Sequence, residues 1–127
     1  MDEVTLGARE LDVMAVLWEM KSGTVEEVRG RLGTRLAYTT VLTILRNLET
    51  KGFVSHEEEG RAHRYAPRVA QRSAQRGAVA RMVEKFFGGS PEALVARLVD
   101  DHNLSANDLR RLARTISSRD NKKGGER

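Results

Sequence analysis

Residues 36–67, LAYTTVLTILRNLETKGFVSHEEEGRAHRYAP, constrain the fold of this chain more than any other stretch. Val41, Leu45 and Leu48, helped by Ile44, recur at helical spacing and form one apolar face, which predicts a helix from about residue 38 to 51. Gly52 stands where a helix commonly ends in a residue of positive φ. Residues 53–57 and 62–66 then alternate as two short strands. Glu58-Glu59-Gly60-Arg61 supplies the hairpin turn, and Pro67 ends the second strand. A helix stopped at a glycine and followed at once by a hairpin leaves few architectures open.

The face of that helix opposite the apolar one carries Tyr38, Thr39, Leu42, Thr43, Arg46 and Asn47, with no acidic residue until Glu49. Threonines are weak helix formers, so three of them in five positions (Thr39, Thr40, Thr43) call for a reason beyond the helix itself. The electronegative major groove supplies one, since threonine methyls meet thymine methyls and arginine meets guanine there. Thr40 can instead contact phosphate near the helix start. Arg46 suits a base edge or a phosphate; Tyr38 suits a phosphate hydrogen bond or packing against the helix start. Two helices are expected upstream. The first, about residues 8–19, has Leu11, Met14, Ala15, Leu17 and Trp18 as its inward stripe, widened by Val13 and Val16. After a Ser22-Gly23 turn with one or two residues of strand, Thr24 and Glu27 form a capping box for the second. Val25, Val28 and Leu32 face inward, and Gly33 stops it. Two helices, a third with groove-like chemistry and a hairpin fit a winged helix-turn-helix.

Downstream the helical period returns. Ala74, Ala78, Met82 and Phe86, with Val79 and Val83, mark a long helix ending at Gly88-Gly89. Ser90-Pro91-Glu92 starts another, lined by Leu94, Val95, Leu98 and Val99 and broken at residues 100–103. Ser105 caps a third, with Asp108 in the capping-box position and Leu109, Leu112 and Ile116 facing inward. The chain has only six aromatic residues, too thin a core to cover all these faces in a monomer. The expected organisation is mainly α with a small β-hairpin wing. Residues 1–68 form the DNA-binding domain and residues 69–118 a three-helix dimerisation region. Residues 119–127 form a polar tail read as disordered. Met82, Phe86, Leu94, Leu98, Leu109, Leu112 and Ile116 are the expected dimer contacts.

Charge supports that division. Residues 1–30 hold three basic and seven acidic side chains, residues 31–81 ten and four, and residues 82–127 nine and seven. Positive charge is thus concentrated on the helix–hairpin block and the segment after it, where phosphates would be neutralised. On the hairpin, Arg61 and Arg64 are candidates for phosphate contact, although Glu57-Glu58-Glu59 opposes deep insertion. Tyr65 reads as core. With no cysteine, disulfides and cysteine metal sites are excluded. His56 and His63 can face each other across the hairpin, but a pair without a third ligand does not make a metal site. No motif for catalysis or phosphate cradling is present, so the chain reads as a non-enzyme with no cofactor. Its acidic start and lack of a long apolar run imply a cytoplasmic protein without a membrane span.

Several motifs together resemble the penicillinase-repressor family (BlaI/MecI type) over nearly the whole chain. They are Glu10-x-x-Val13-Met14-x-x-Leu17-Trp18, Ala37-Tyr38-Thr39-Thr40-Val41-Leu42-Thr43-x-Leu45-x-x-Leu48, Lys51-Gly52-x-Val54, Gly60-Arg61-Ala62-His63-Arg64-Tyr65, and Phe86-Phe87-Gly88-Gly89-Ser90 followed by Leu94-Val95. The resemblance implies a homodimeric repressor of palindromic operators, controlling antibiotic-response or related genes. It places Thr39, Thr40, Thr43 and Arg46 on the DNA face and Arg61, His63 and Arg64 on or near the wing. It also implies a regulatory protease as a partner. Cleaved members carry an Asn-Phe bond in the penultimate helix, however, where this chain has Arg97-Leu98. A copper-responsive branch carries a cysteine-rich tail that this chain lacks. Two other readings stay open: a winged helix that binds proteins instead of DNA, and a regulator with a small-molecule site among its C-terminal helices.

Overall fold

The structure is a computed structural model that describes residues 6–33 and 35–125, with side chains through residue 120. Thr34 of the helix link, the acidic residues 1–5 and residues 126–127 of the expected tail lie outside the described residues. The elements run α1 (Ala8–Met20), β1 (Gly23–Thr24), α2 (Val25–Arg31), α3 (Tyr38–Thr50), β2 (Val54–Glu59), β3 (Ala62–Pro67), α4 (Gln71–Phe86), α5 (Pro91–His102) and α6 (Ala106–Gly125). The chain forms two compact units, one ending at Gly77 and one beginning at Ala78, a division that falls inside α4.

In the first unit three helices pack against a small antiparallel sheet of order β1-β3-β2. Thr24 caps α2 as expected: its hydroxyl accepts from the Glu27 amide and its amide donates to the Glu27 carboxylate, both at 3.2 Å. Thr24 is also half of β1, so the residue that starts the helix joins the sheet through pairing with Arg64. Gly52 follows α3 at φ 87, and the Phe53 amide returns to the Leu48 carbonyl at 2.9 Å, which turns the chain into β2. The hairpin is tighter than the four-residue turn expected. Glu59 pairs with Ala62, so Gly60 and Arg61 alone make the turn, with Gly60 at φ 63 as in a two-residue hairpin whose first position needs positive φ.

Val13, Met14, Leu17, Val25, Val28, Val41, Ile44, Leu45, Leu48, Val54 and Tyr65 form the core. Burying each large side chain stabilises the unit by about 1.5–3 kcal/mol. The inward face of α1 departs from expectation. Leu11 is 48% exposed and Ala15 is exposed, whereas Val13 belongs to the core. Nearly the whole circumference of α1 is apolar, so periodicity alone cannot choose which stripe turns inward; packing against α2, α3 and β3 does. Trp18, half-buried, uses its indole N–H to hold the Val69 carbonyl at 2.8 Å.

In the second unit Ser90 caps α5 by accepting from the Ala93 amide at 3.1 Å, with Pro91 in the first turn. Asn103, at φ 52, ends α5, so the helix runs through Asp100, Asp101 and His102 where a break was expected. Ser105 and Asp108 form the expected reciprocal cap. Helix α6 then continues to Gly125. The polar segment from residue 119, read from sequence as a disordered tail, is drawn here as the last turns of α6. The expectation rested on missing apolar periodicity, which governs packing more than helix formation. Residues 117–123 contain neither proline nor glycine, so the helix started at Ser105 propagates until Gly124-Gly125. Among the described residues from 78 to 120 none is buried.

Candidate nucleic-acid interface

Helix α3 is amphipathic in the sense the interface needs. Val41, Ile44, Leu45 and Leu48 hold it to the core, which fixes the opposite face outward. Tyr38, Thr39, Thr40, Thr43, Arg46 and Asn47 are all exposed, and Leu42 is half-buried. The Thr43 hydroxyl donates to the Thr39 carbonyl at 2.9 Å, spending its proton inside the helix and leaving its methyl and lone pairs for a partner. Arg46 has no carboxylate partner among the described residues. At the helix start Ala37 provides no side-chain cap and the first turn has no acidic residue. The leading amides are therefore open to an anion. All five α3 residues proposed from sequence are exposed: Thr39, Thr43 and Arg46 fall together opposite the core face, with Tyr38 and Thr40 on its two flanks.

The approach to that helix is also built from basic residues. The Arg29 Nε donates to the Leu36 carbonyl at 2.9 Å, while its Nη1 pairs with Glu26 at 2.7 Å, so Arg29 braces the link between α2 and α3. Arg29, Gly30, Arg35, Leu36 and Ala37 line an open cavity of about 530 Å³ beside the α3 start. Arg35 is exposed and was not picked out from sequence. Only its position next to the helix start, set by the fold, marks it.

The wing divides the two hairpin arginines. Arg61 sits exposed in the turn. Arg64 is engaged at the surface by two carboxylates of its own chain: Nη1 and Nη2 meet Glu27 at 3.0 and 3.2 Å, and Nε and Nη2 meet Glu59 at 3.0 and 2.9 Å. It ties the start of α2 to the wing, 37 residues apart in the chain. The hydrogen bonds from Arg64 hold the Glu27 and Glu59 carboxyls below their ordinary range, and raise the guanidinium itself. With folded values below the ordinary 4.5, the unfolded state binds more protons. The tie's stabilisation is therefore complete above pH 4.5 and is lost as pH falls through the folded values. Arg64→Gln is expected to flatten the fall in melting temperature below that pH; a parallel acid limb in variant and wild type would count against the tie.

Glu10 provides a second anchor. Burial pushes its carboxyl up, but the Lys51 ammonium at 2.7 Å and the Gly7 amide outweigh that and leave it lowered, joining the start of α1 to the end of α3. On the wing His56 pairs with Tyr65, and His63 pairs with Glu58, so the histidines are diagonal neighbours; their rings stack at 4.4 Å. The His56 Nδ1 lies 2.7 Å from Glu49. Among the described residues no three histidine or acidic side chains are arranged to hold a metal ion. Tyr65 is buried against the core.

A three-helix unit with a three-stranded wing and an acid-free outward face on its third helix defines a winged helix-turn-helix regulator of transcription. Comparison with known proteins narrows the class. The penicillinase repressor family profile matches residues 6–118. The penicillinase repressor of Bacillus licheniformis is 26% identical over 116 residues, 90% of this chain and 91% of that protein. The transcriptional regulator BlaI of Mycobacterium tuberculosis is 46% identical over 65 residues, 49% of this chain and about half (47%) of that regulator. The solution structure of the DNA-binding domain of the repressor BlaI superposes with a TM-score of 0.50 at 30% identity, covering 57% of this chain and 93% of that one. The chain belongs to the penicillinase repressor family of DNA-binding transcriptional repressors, which are not enzymes. No helix among the described residues is long and apolar enough to cross a membrane.

Proposed function

We propose that this chain represses transcription in the cytoplasm as a homodimer, each copy laying α3 in the major groove of one half of a palindromic operator. The outward face of α3 carries this reading: hydroxyls, a methyl-bearing threonine and a carboxylate-free arginine occupy a surface the core leaves no other use for. Thr39, Thr43 and Arg46 would meet base edges, with Tyr38, Thr40 and the leading amides on phosphate. Arg61 would reach the backbone from the wing turn. Arg64, held by two carboxylates, would serve by holding the wing in place.

The dimer is supported by the second unit. Val79, Met82, Phe86, Val95, Leu98, Leu112 and Ile116 are all exposed there, with no buried core of their own. Two copies would cover these faces, and a dimer reads two half-sites about one helical turn of DNA apart or a multiple of that. Antibiotic-response genes are the target class the family suggests. Loss of the dimer would relieve repression, and a regulatory protease is one agent. The Arg97–Leu98 bond lies within α5, so its cleavage would require local unfolding of that helix.

Binding of operator and random duplexes across a salt series tests the function. Operator affinity well above that for random DNA, falling steeply with salt, is expected. Dissociation constants weaker than about 10⁻⁶ M on every duplex would favour a protein-binding winged helix. Arg46→Ala is expected to cost about 1–3 kcal/mol and relax discrimination at one base pair. An equal loss on all sequences would make Arg46 a phosphate contact.

A further inference from the structure

We infer a second phosphate-binding surface, separate from α3 and the wing, formed by Arg68, Arg72 and Arg76 along the start of α4; this deepens the DNA-binding reading and rests on it. From Gly60 to Val83 the chain holds six arginines and not one aspartate or glutamate. Arg68, Arg72 and Arg76 follow one another at intervals of four, so the two within the helix stand on one face. All three are exposed.

None of the three lies beside a carboxylate among the described residues. Elsewhere Arg9, Arg29, Arg31, Arg64, Arg97 and Arg111 each lie beside a carboxylate. In the first unit the described arginines without one are Arg35, Arg46 and Arg61, around α3 and the wing, and these three. Arg72 and Arg76 repel each other at i,i+4, and Arg72 adds positive charge to a helix start that already carries the positive end of the dipole and has no acidic residue. A polyanion laid along this face would offset that repulsion.

The stripe is also fixed to the reading unit. The Arg68 amide donates to the Phe53 carbonyl at 2.8 Å, and the Trp18 indole holds the Val69 carbonyl at 2.8 Å. These bonds tie the chain just before α4 to Phe53, at the entry to β2, and to α1. Residues up to Gly77 belong to the same compact unit as α3. Where α3 docks, the stripe is carried to a set place on the duplex, on phosphates outside the base pairs that α3 reads. Arginine suits that role because its planar fork bonds phosphate oxygens in pairs.

The full-length double variant Arg72→Gln/Arg76→Gln tests this by salt titration on operator and random duplexes. Glutamine keeps the helix, and circular dichroism and sedimentation should match wild type. Each lost phosphate contact reduces the log–log salt slope by about 0.9, so a reduction of about 2 is expected. Affinity at low salt should fall about tenfold or more on both duplexes, leaving their ratio unchanged. Arg72→Lys/Arg76→Lys should restore the slope, since charge is what is counted. An unchanged slope in the glutamine variant, with wild type binding steeply, overturns the stripe and leaves the DNA reading standing. A changed operator-to-random ratio would make these residues base readers and overturns it too. A flat slope in wild type overturns both.

Discussion

Phe86→Glu is expected to convert the protein to a monomer and to weaken operator binding by roughly 10²–10⁴-fold, the gain that two linked readers have over one. Phe86 is 80% exposed within one chain, so it contributes little to the fold of the monomer, and a glutamate there is well solvated. In a dimer it would bury an unpaired charge in an apolar contact, which is strongly unfavourable. Leu98→Glu should act in the same direction. It is a less clean probe, because at 41% exposure part of Leu98 already packs within its own chain. Sedimentation at micromolar concentration reads the assembly, and circular dichroism checks that the helices persist. An unchanged sedimentation profile for both variants would refute the dimer surface. Monomers that bind the operator as tightly as wild type would refute the need for two readers.

Leu45→Ala should have the largest effect on stability. Leu45 is fully buried, on the face of α3 that rests on the other core residues. Removing its three outer carbons forfeits transfer free energy and leaves a cavity, typically about 2–5 kcal/mol in all. A small domain has about 5–15 kcal/mol in total, so this is a large share. In a unit of this size the melting temperature should fall on the order of 10 °C or more. DNA binding at low temperature should survive where the folded fraction does, because no groove-facing residue is altered. A melting temperature within a degree or two of wild type would mean that α3 is not held by this face. A folded variant that no longer binds would mean the cavity shifts the helix in the groove.

Both effects originate in patterns present in the amino-acid sequence. The apolar face of α3, the Thr24 and Ser105 caps, the glycine stops and the hairpin are local: each depends on residues within a few positions, and their chemistry permits few alternatives. The same holds for the outward threonines and Arg46, since fixing one face of a helix fixes the other. The C-terminal faces were legible as apolar stripes without a monomer core to bury them. The α1 face was not, because a helix apolar nearly all round has no preferred stripe until its neighbours choose one. Nor was the continuation of α6, which needs no apolar period to persist.

Sequence by itself therefore determined the elements, their order and the chemistry of the α3 surface, because capping, periodicity and turn geometry act over short range. Tertiary structure alone decided which charges are available. Arg64 and Arg61 look alike on the hairpin, yet Arg64 is held by Glu27 from 37 residues away while Arg61 remains at the turn. That Arg68, Arg72 and Arg76 stay clear of carboxylates while Arg9, Arg29, Arg31 and Arg64 meet theirs is likewise settled only in the folded chain. An ion pair depends on distances of a few ångströms, and between distant residues only the packed fold sets those distances.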